Sequence, residues 1–173
     1  HNLSADSDEH ECSALLDPVE IILHPDDLDA ALVFLEAPAP CVADGRTKTV
    51  ALAAADAGDF AGDRATCMGW GATDRNGNDY PEKMREVDLD VIAGDVCDDL
   101  YDGAVGDAYV CARDEGKDSC YGDSGGPLVV DGADGAVTQI GIVSWGGERC
   151  ATFKKPGVYT RVSAIYDWIE YHV

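Results

Sequence analysis

Basic side chains are scarce in this chain: 12 Lys and Arg stand against 34 Asp and Glu, a formal charge of −22. A polyanion of this kind repels phosphate, so nucleic acids and anionic membranes are not expected as partners. The acid surplus reads as a solvated surface that keeps the protein in solution, and a field that draws in cationic substrates is its lesser role. It also devalues any lone carboxylate, because about one position in five is Asp or Glu. Long apolar runs are missing as well, and nothing approaches the roughly 20 residues that a membrane-crossing helix needs. No two cysteines stand in a CxxC spacing, which argues against zinc sites and thioredoxin-like chemistry. Histidine is rare: the four are His1, His10, His24 and His172. Internal repeats and low-complexity tracts are absent.

What the chain does contain points to an oxidising compartment. Seven cysteines in 173 residues, several beside turn residues, suggest disulfides and a secreted or extracellular location. The odd count leaves at least one thiol unpaired or bonded outside this chain. No Met or signal peptide opens the sequence, so a mature or incomplete product is expected, with secretion requiring an upstream segment. Nineteen Gly and seven Pro punctuate short apolar runs, a pattern of strands and turns.

The expected strands are VEIILH (19–24) and AALVFL (30–35), separated by the turn-prone PDDLD, then TVALAA, TCMGWGAT (66–73), MREVDLDVI (84–92), AVTQIGIVSWG (136–146) and GVYTRV (157–162). APAPCVADGRTK (37–48) reads as a connection, and RNGND (75–79) as a loop with an Asn-Gly turn. SAIYDWIEYHV (163–173) carries apolar residues at 165, 168 and 169 and opens on Ser163 as a candidate cap, so it reads as a terminal helix. The expected architecture is an all-β body closed by one helix.

The chemistry concentrates in KDSCYGDSGGPLVV (117–130). Ser124 stands among small residues, and Gly122 and Gly125 let the chain turn tightly enough to aim neighbouring amides at one point. A serine that attacks a carbonyl needs such donors for the developing oxyanion, and a base to take its proton.

CYGDSGGPLV, followed by IVSWG (142–146) and PGVYTRV (156–162), closely resembles the trypsin-like (chymotrypsin-family) serine proteases in order and spacing. GWGAT (69–73), PEKMREVDLDVI (81–92) and SAIYDWIEYHV are similar to that family's middle and end. The resemblance implies a chymotrypsin-like double β-barrel with a C-terminal helix. It assigns Ser124 as nucleophile and the amides of Gly122 and Ser124 as the oxyanion hole. Asp29, directly before the apolar strand, falls where the family has the buried aspartate that orients the catalytic imidazole. Asp118 takes the floor of the primary specificity pocket, implying protein or peptide substrates with Arg or Lys before the scissile bond. Ser144, Trp145 and Gly146 resemble the segment lining that pocket, and Gly146 and Gly157 its wall glycines. Cys97 with Cys111, and Cys120 with Cys150, fall into family pairs. Cys67 is left as a buried free thiol, because Val130 occupies the place of its usual partner. Cys12 and Cys41 flank the first two strands and are candidates to bridge each other.

The base is the departure. The family's histidine motif has no counterpart here, and His24 resembles a structural His-Pro ahead of the aspartate loop, while His172 is expected to be exposed. The resemblance therefore begins partway through the first barrel. Residues 1–45 are expected to form a partial first barrel with an exposed face, and 46–173 the second barrel with its helix. HNLSADSDEHE is similar to a loop in which some members bind calcium, but the chain starts near its first ligand position. No cofactor or metal is expected, with calcium there as the alternative. The family's activation N-terminus, which pairs with the aspartate before the nucleophile, here Asp123, is also outside the chain. A loosely formed, zymogen-like pocket and an inactive chain are expected, with the missing N-terminal segment as a partner. Two functions follow: a trypsin-like endopeptidase acting through an acyl-enzyme on Ser124, or a catalytically dead protease-like binding or inhibitor protein.

Overall fold

The computed structural model describes residues 12–132 and 135–173. His1, His10 and the acidic opening with its calcium expectation lie outside them. Two β units follow one another. The first is an antiparallel pair, β1 (Pro18–Leu23) and β2 (Ala31–Leu35), in which Ile21 faces Val33 and Ile22 faces Leu32. The second comprises β3 (Ala51–Leu52), β4 (Arg64–Gly69), β5 (Arg85–Ile92), β6 (Tyr109–Arg113), β7 (Pro127–Asp131), β8 (Val137–Trp145) and β9 (Gly157–Arg161), with α1 (Gly94–Leu100) between β5 and β6 and α2 (Val162–His172) last.

Period-two alternation explains how the second unit closes. On β4 and β5, Ala65 and Cys67 face Leu89 and Val87, while Thr66 faces Asp88 and Arg64 faces Asp90 on the wet side. The sheet runs β3-β8-β7-β4-β5-β6-β9, and β8 pairs with β9 again. Six strands thus join into a barrel, and β3 lies parallel against β8 outside it. Ala65, Leu89, Leu128, Ile140 and Tyr159 fill the interior. Each fully buried Leu or Ile side chain there contributes roughly 1.5–3 kcal/mol of transfer free energy. β9 is buried from Gly157 to Thr160, because Tyr159 points into the barrel while Val158 packs with Cys97, Val105 and Cys111 under α1.

Two expectations need correcting. Ser163 does not cap the last helix: α2 already starts at Val162, and its N-cap is Arg161 in extended backbone without a side-chain cap bond. α1 is a second helix, short and acidic at its first turn, whose GDVCDDL lacks the apolar periodicity of an amphipathic helix. It is held by the Cys97–Cys111 disulfide and by burial of Cys97. The chain also carries β6 and β7, each buried over its central three residues.

In the first unit, Val19, Ile21, Leu23, Val33 and Leu35 are all exposed. One face of this hairpin is open and apolar. Cys12 and Cys41 are disulfide-bonded across it. No helix among the described residues is long and apolar enough to cross a membrane.

Candidate active site

Ser124 lies on the turn that leads into β7. Gly122 and Gly125 have φ of +96° and +80°, a region that side chains with a Cβ seldom enter. The turn is then locked from both ends. Asp123 N–H donates to Cys120 O at 2.9 Å, Gly126 N–H to Asp123 O at 2.8 Å, and Gly125 N–H to Val143 O at 2.9 Å. Ser124 is exposed at its apex. The amides of Gly122 and Ser124 donate to no group among the described residues, so both remain available to an anion beside the hydroxyl.

Asp29 comes from the other unit. Its turn is drawn tight by Asp27 at φ +57° and by His24 N–H donating to Ala30 O at 3.0 Å. Two hydroxyls then tether Asp29 across the cleft: Ser144 donates to Oδ2 at 2.7 Å, and the buried Thr160 donates to the Asp29 carbonyl oxygen at 2.8 Å. Asp29 and Ser124 line one cleft of about 900 Å³, with Leu23, His24 and Val162 among its other walls. Asp29 is exposed rather than buried as expected, because that cleft is wide and open. His24 is not directed at the serine. Its Nδ1 accepts the Asp26 N–H at 3.3 Å, and its ring meets Trp168 edge-on at 4.9 Å. His172 packs on Trp168 and Tyr171 and is half-buried, not exposed.

A smaller cavity of about 120 Å³ opens beside Ser124, lined by Asp118, Tyr121, Val143, Trp145, Gly146 and Gly157 among others. Asp118 is its ionisable wall. Oδ2 accepts the Ala151 N–H at 2.9 Å, whereas Oδ1 is buried without a partner among the described residues. Burial pushes the Asp118 carboxyl up to about 6, against the opposing amides of Ala151 and Ser119 and with repulsion from Asp123. A Cβ at Gly157 would stand 2.8 Å from that bare oxygen, so glycine there spares Oδ1 a collision. Gly146 is less constrained; a Cβ there would meet its neighbours at 3.9 Å. Trp145 is braced by Tyr101 at 4.9 Å and Tyr109 at 6.1 Å, both edge-on. The Cys120–Cys150 disulfide ties the serine turn to the far wall.

Asp123 faces away from Ser124 into a third cavity of about 270 Å³, shared with Cys67, Gly69, Gly71 and Asp118. With the α-amino partner outside the chain, two backbone amides serve this carboxylate: Gly71 N–H donates to Oδ1 at 2.8 Å and Cys120 N–H to Oδ2 at 2.9 Å. Backbone amides reach it because Gly69 and Gly71 lack side chains; a Cβ at either would collide with this carboxylate. Cys67 is the free cysteine among the described residues, buried beside it, and burial pushes its thiol up to about 12.

Three contributors had no signal in the linear chain, and a fourth has a second role. Ser144 lines the Asp118 cavity, and its hydroxyl also serves Asp29, 115 positions away. Thr160 sits in a strand that reads simply as core. Gly71 supplies an amide to Asp123, and Arg75 grips the carbonyl oxygens of Cys150 and Ala151 behind the Asp118 pocket. Side chain-to-backbone contacts across 75 residues leave no periodicity to read.

Comparison with known proteins agrees with this geometry. The family model for trypsin matches residues 15–169. Trypsin-3 of Salmo salar is 34% identical over 177 residues, which cover 98% of this chain and 69% of that protein. Anionic trypsin of Canis lupus familiaris is 36% identical over 161 residues, covering 90% of this chain and 62% of that protein. Among solved structures, neuropsin, a serine protease expressed in the limbic system of mouse brain, superposes with a TM-score of 0.77 at 28% identity. That match covers 90% of this chain and 70% of the other. The chain thus spans about two thirds of the length of the trypsins it matches. A serine turn with two open amides, a tethered carboxylate across the cleft and a glycine-walled acidic pocket accompany a family match over most of the chain: the chain belongs to the trypsin family of serine proteases.

Proposed function

We propose that this chain carries the nucleophile and the specificity pocket of a secreted trypsin-like endopeptidase that cuts after arginine or lysine. Ser124 Oγ attacks the scissile carbonyl, the oxyanion settles on the amides of Gly122 and Ser124, and the amine leaves as the acyl-enzyme forms. Water then releases the acyl group by the reverse sequence. Asp29, held by Ser144, orients the imidazole that takes the serine proton. No imidazole among the described residues bonds to either group, so the base comes from a histidine outside them. Asp123 pairs with a freed α-amino group in the cavity behind the turn, which is how an activation segment acts on this site.

The observation that carries the reading is the buried, unpartnered Oδ1 of Asp118, a carboxylate that lines one cavity together with Ser124. A buried carboxylate oxygen without a donor is costly, and a guanidinium or ammonium relieves that cost where an apolar side chain cannot. The test is hydrolysis of peptidyl-Arg, -Lys and -Phe anilides by the complete product of the source transcript and by its Ser124→Ala variant. Turnover restricted to Arg and Lys and lost with Ser124 is expected; Phe cleavage, or turnover that survives Ser124→Ala, overturns the reading. The second reading, a protease-like binding protein, is favoured by the engagement of both described histidines on Trp168. Tight binding of an arginyl ligand with no turnover by that same product would select it.

A further inference from the structure

The rim of the Asp118 pocket carries a contact that catalysis does not require. The exposed residues Ser124, Gly146 and Tyr121 line this cavity together with the part-buried Asp118, whose Oδ1 is itself buried without a partner among the described residues. Tyr121 belongs to the serine turn, and Glu148 follows Gly147 of the opposite wall. The Tyr121 hydroxyl donates to the Glu148 carbonyl oxygen at 2.9 Å, so the two walls are joined a second time beside the Cys120–Cys150 disulfide.

The ring is also held from behind. Gly77, at φ +77° in the Asn76-Gly77 turn, lies so close that a Cβ there would stand 2.7 Å from Tyr121 Cδ2. The turn itself is stiff, since Asp74 accepts the amides of Asn76, Asn78 and Asp79 at 3.1, 2.6 and 2.8 Å. The Tyr121 carbonyl oxygen accepts the Ala72 N–H at 2.8 Å. Ring and backbone are therefore fixed on one side, and the hydroxyl bond fixes the other. Tyr121 as a whole residue is 48% exposed, so burial alone does not impose this placement. The hydrogen bond completes it.

We propose that Tyr121 is a latch on the Asp118 pocket that sets its affinity for any cation: its phenol, bonded to the Glu148 carbonyl, must release that carbonyl before a cationic side chain passes. The inference rests on the reading of Asp118 as a cation site. A latch has a particular signature. Its release precedes entry, so it penalises every occupant by one common factor, whatever the occupant's shape. A direct contact between the phenol and a ligand would instead vary from ligand to ligand. A single neutral hydrogen bond corresponds to roughly a two- to tenfold change in affinity.

The experiment measures binding of benzamidine, a flat amidinium, and of n-butylamine, a slender ammonium, by calorimetry at about pH 8, where the Asp118 carboxyl is ionised. It uses the intact chain and the Tyr121→Phe, Tyr121→Ala and Asp118→Asn variants. Tyr121→Phe should tighten both ligands by the same factor, roughly two- to tenfold. Unchanged or weaker binding by Tyr121→Phe, or a factor that differs between the two ligands, overturns the latch. Tyr121→Ala guards against a ring that keeps its place by packing alone: if the phenyl ring still obstructs, Ala should tighten both ligands further and again equally. The failure of the underlying reading looks different, since it is affinity that Asp118→Asn leaves untouched, or no binding by any variant.

Discussion

The cost of the bare Asp118 oxygen makes stability depend on pH, and replacing Asp118 by asparagine removes that dependence. The carboxyl is held at about 6 in the folded chain against an ordinary value of 3.8. Its folded-state pKa is raised, so the folded protein binds the proton more tightly than the unfolded one. The associated stability is fully present below about pH 4 and is lost as pH rises through about 6. A shift of about two units at roughly 1.36 kcal/mol each gives about 3 kcal/mol across that window. The asparagine variant has no proton to lose there and escapes the loss. It carries its own fixed cost, because the side-chain amide places a donor where Oδ1 now lacks a partner, about 1–3 kcal/mol for an unsatisfied group. That cost does not depend on pH. The quantity to measure is therefore a double difference: urea unfolding of Asp118→Asn and the parent at about pH 4 and about pH 8, subtracted twice. The many surface carboxylates cancel, since both proteins carry them. The variant should gain about 2.5 kcal/mol on the parent between the two pH values, slightly less than the full window because the unfolded carboxyl is already partly ionised at about pH 4. A gain below about 1 kcal/mol, or one of opposite sign, would mean that Asp118 is solvated as ordinary aspartates are, and its role as an unsatisfied cation site would fail with it.

Other consequences are sharper but narrower. Cys67 should resist a thiol reagent at about pH 8 in the native protein and react fully in denaturant, because burial holds its thiol at about 12; rapid native labelling would show that the barrel opens locally there. Gly71→Ala should destabilise the chain by about 1–3 kcal/mol through collision with the Asp123 carboxylate, in the manner of overpacked cores. The double variant Gly71→Ala with Asp123→Ala should recover part of that loss, so simple additivity would rule the collision out.

How much of this could be read from the chain varies with the range of the interaction. Strands whose two faces differ announce themselves: VDLDVI alternates Val87, Leu89 and Val91 inward with Asp88 and Asp90 outward. The terminal helix was legible from Ile165, Trp168 and Ile169. α1 was not, because a seven-residue helix held by a disulfide needs no apolar stripe of its own. Within the site, the family resemblance singled out Ser124 and Asp118, and both line one cavity. The exposure of Asp29 was not legible, since it depends on what fills the cleft rather than on its neighbours in sequence. The amides that serve Asp123 were not legible for a related reason: they include Gly71, 52 positions earlier, and only the missing side chains at Gly69 and Gly71 let them approach.

The hairpin that carries Asp29 raises a last question, which is what holds it in place. Its outer face is apolar and open, so burial does little to seat that side. Its links to the barrel include two hydroxyls, Ser144 on the Asp29 carboxylate and Thr160 on the Asp29 carbonyl, with the His24–Trp168 ring contact beside them. Hydrogen bonds to charged groups are worth about 1.5–3 kcal/mol when shielded, and less at an exposed carboxylate. Thr160 is buried, so its bond is the better protected of the two. Thr160→Val keeps the shape and removes the donor, and should therefore loosen the 24–30 turn more than Ser144→Ala does. Amide exchange of residues 24–30, compared with that of the barrel strands, reads this directly. Faster exchange in the turn alone, larger for Thr160→Val, is the expected result. Equal exchange in both variants and the parent would mean that packing of Leu28 and His24, rather than the two hydroxyls, positions Asp29 across from Ser124.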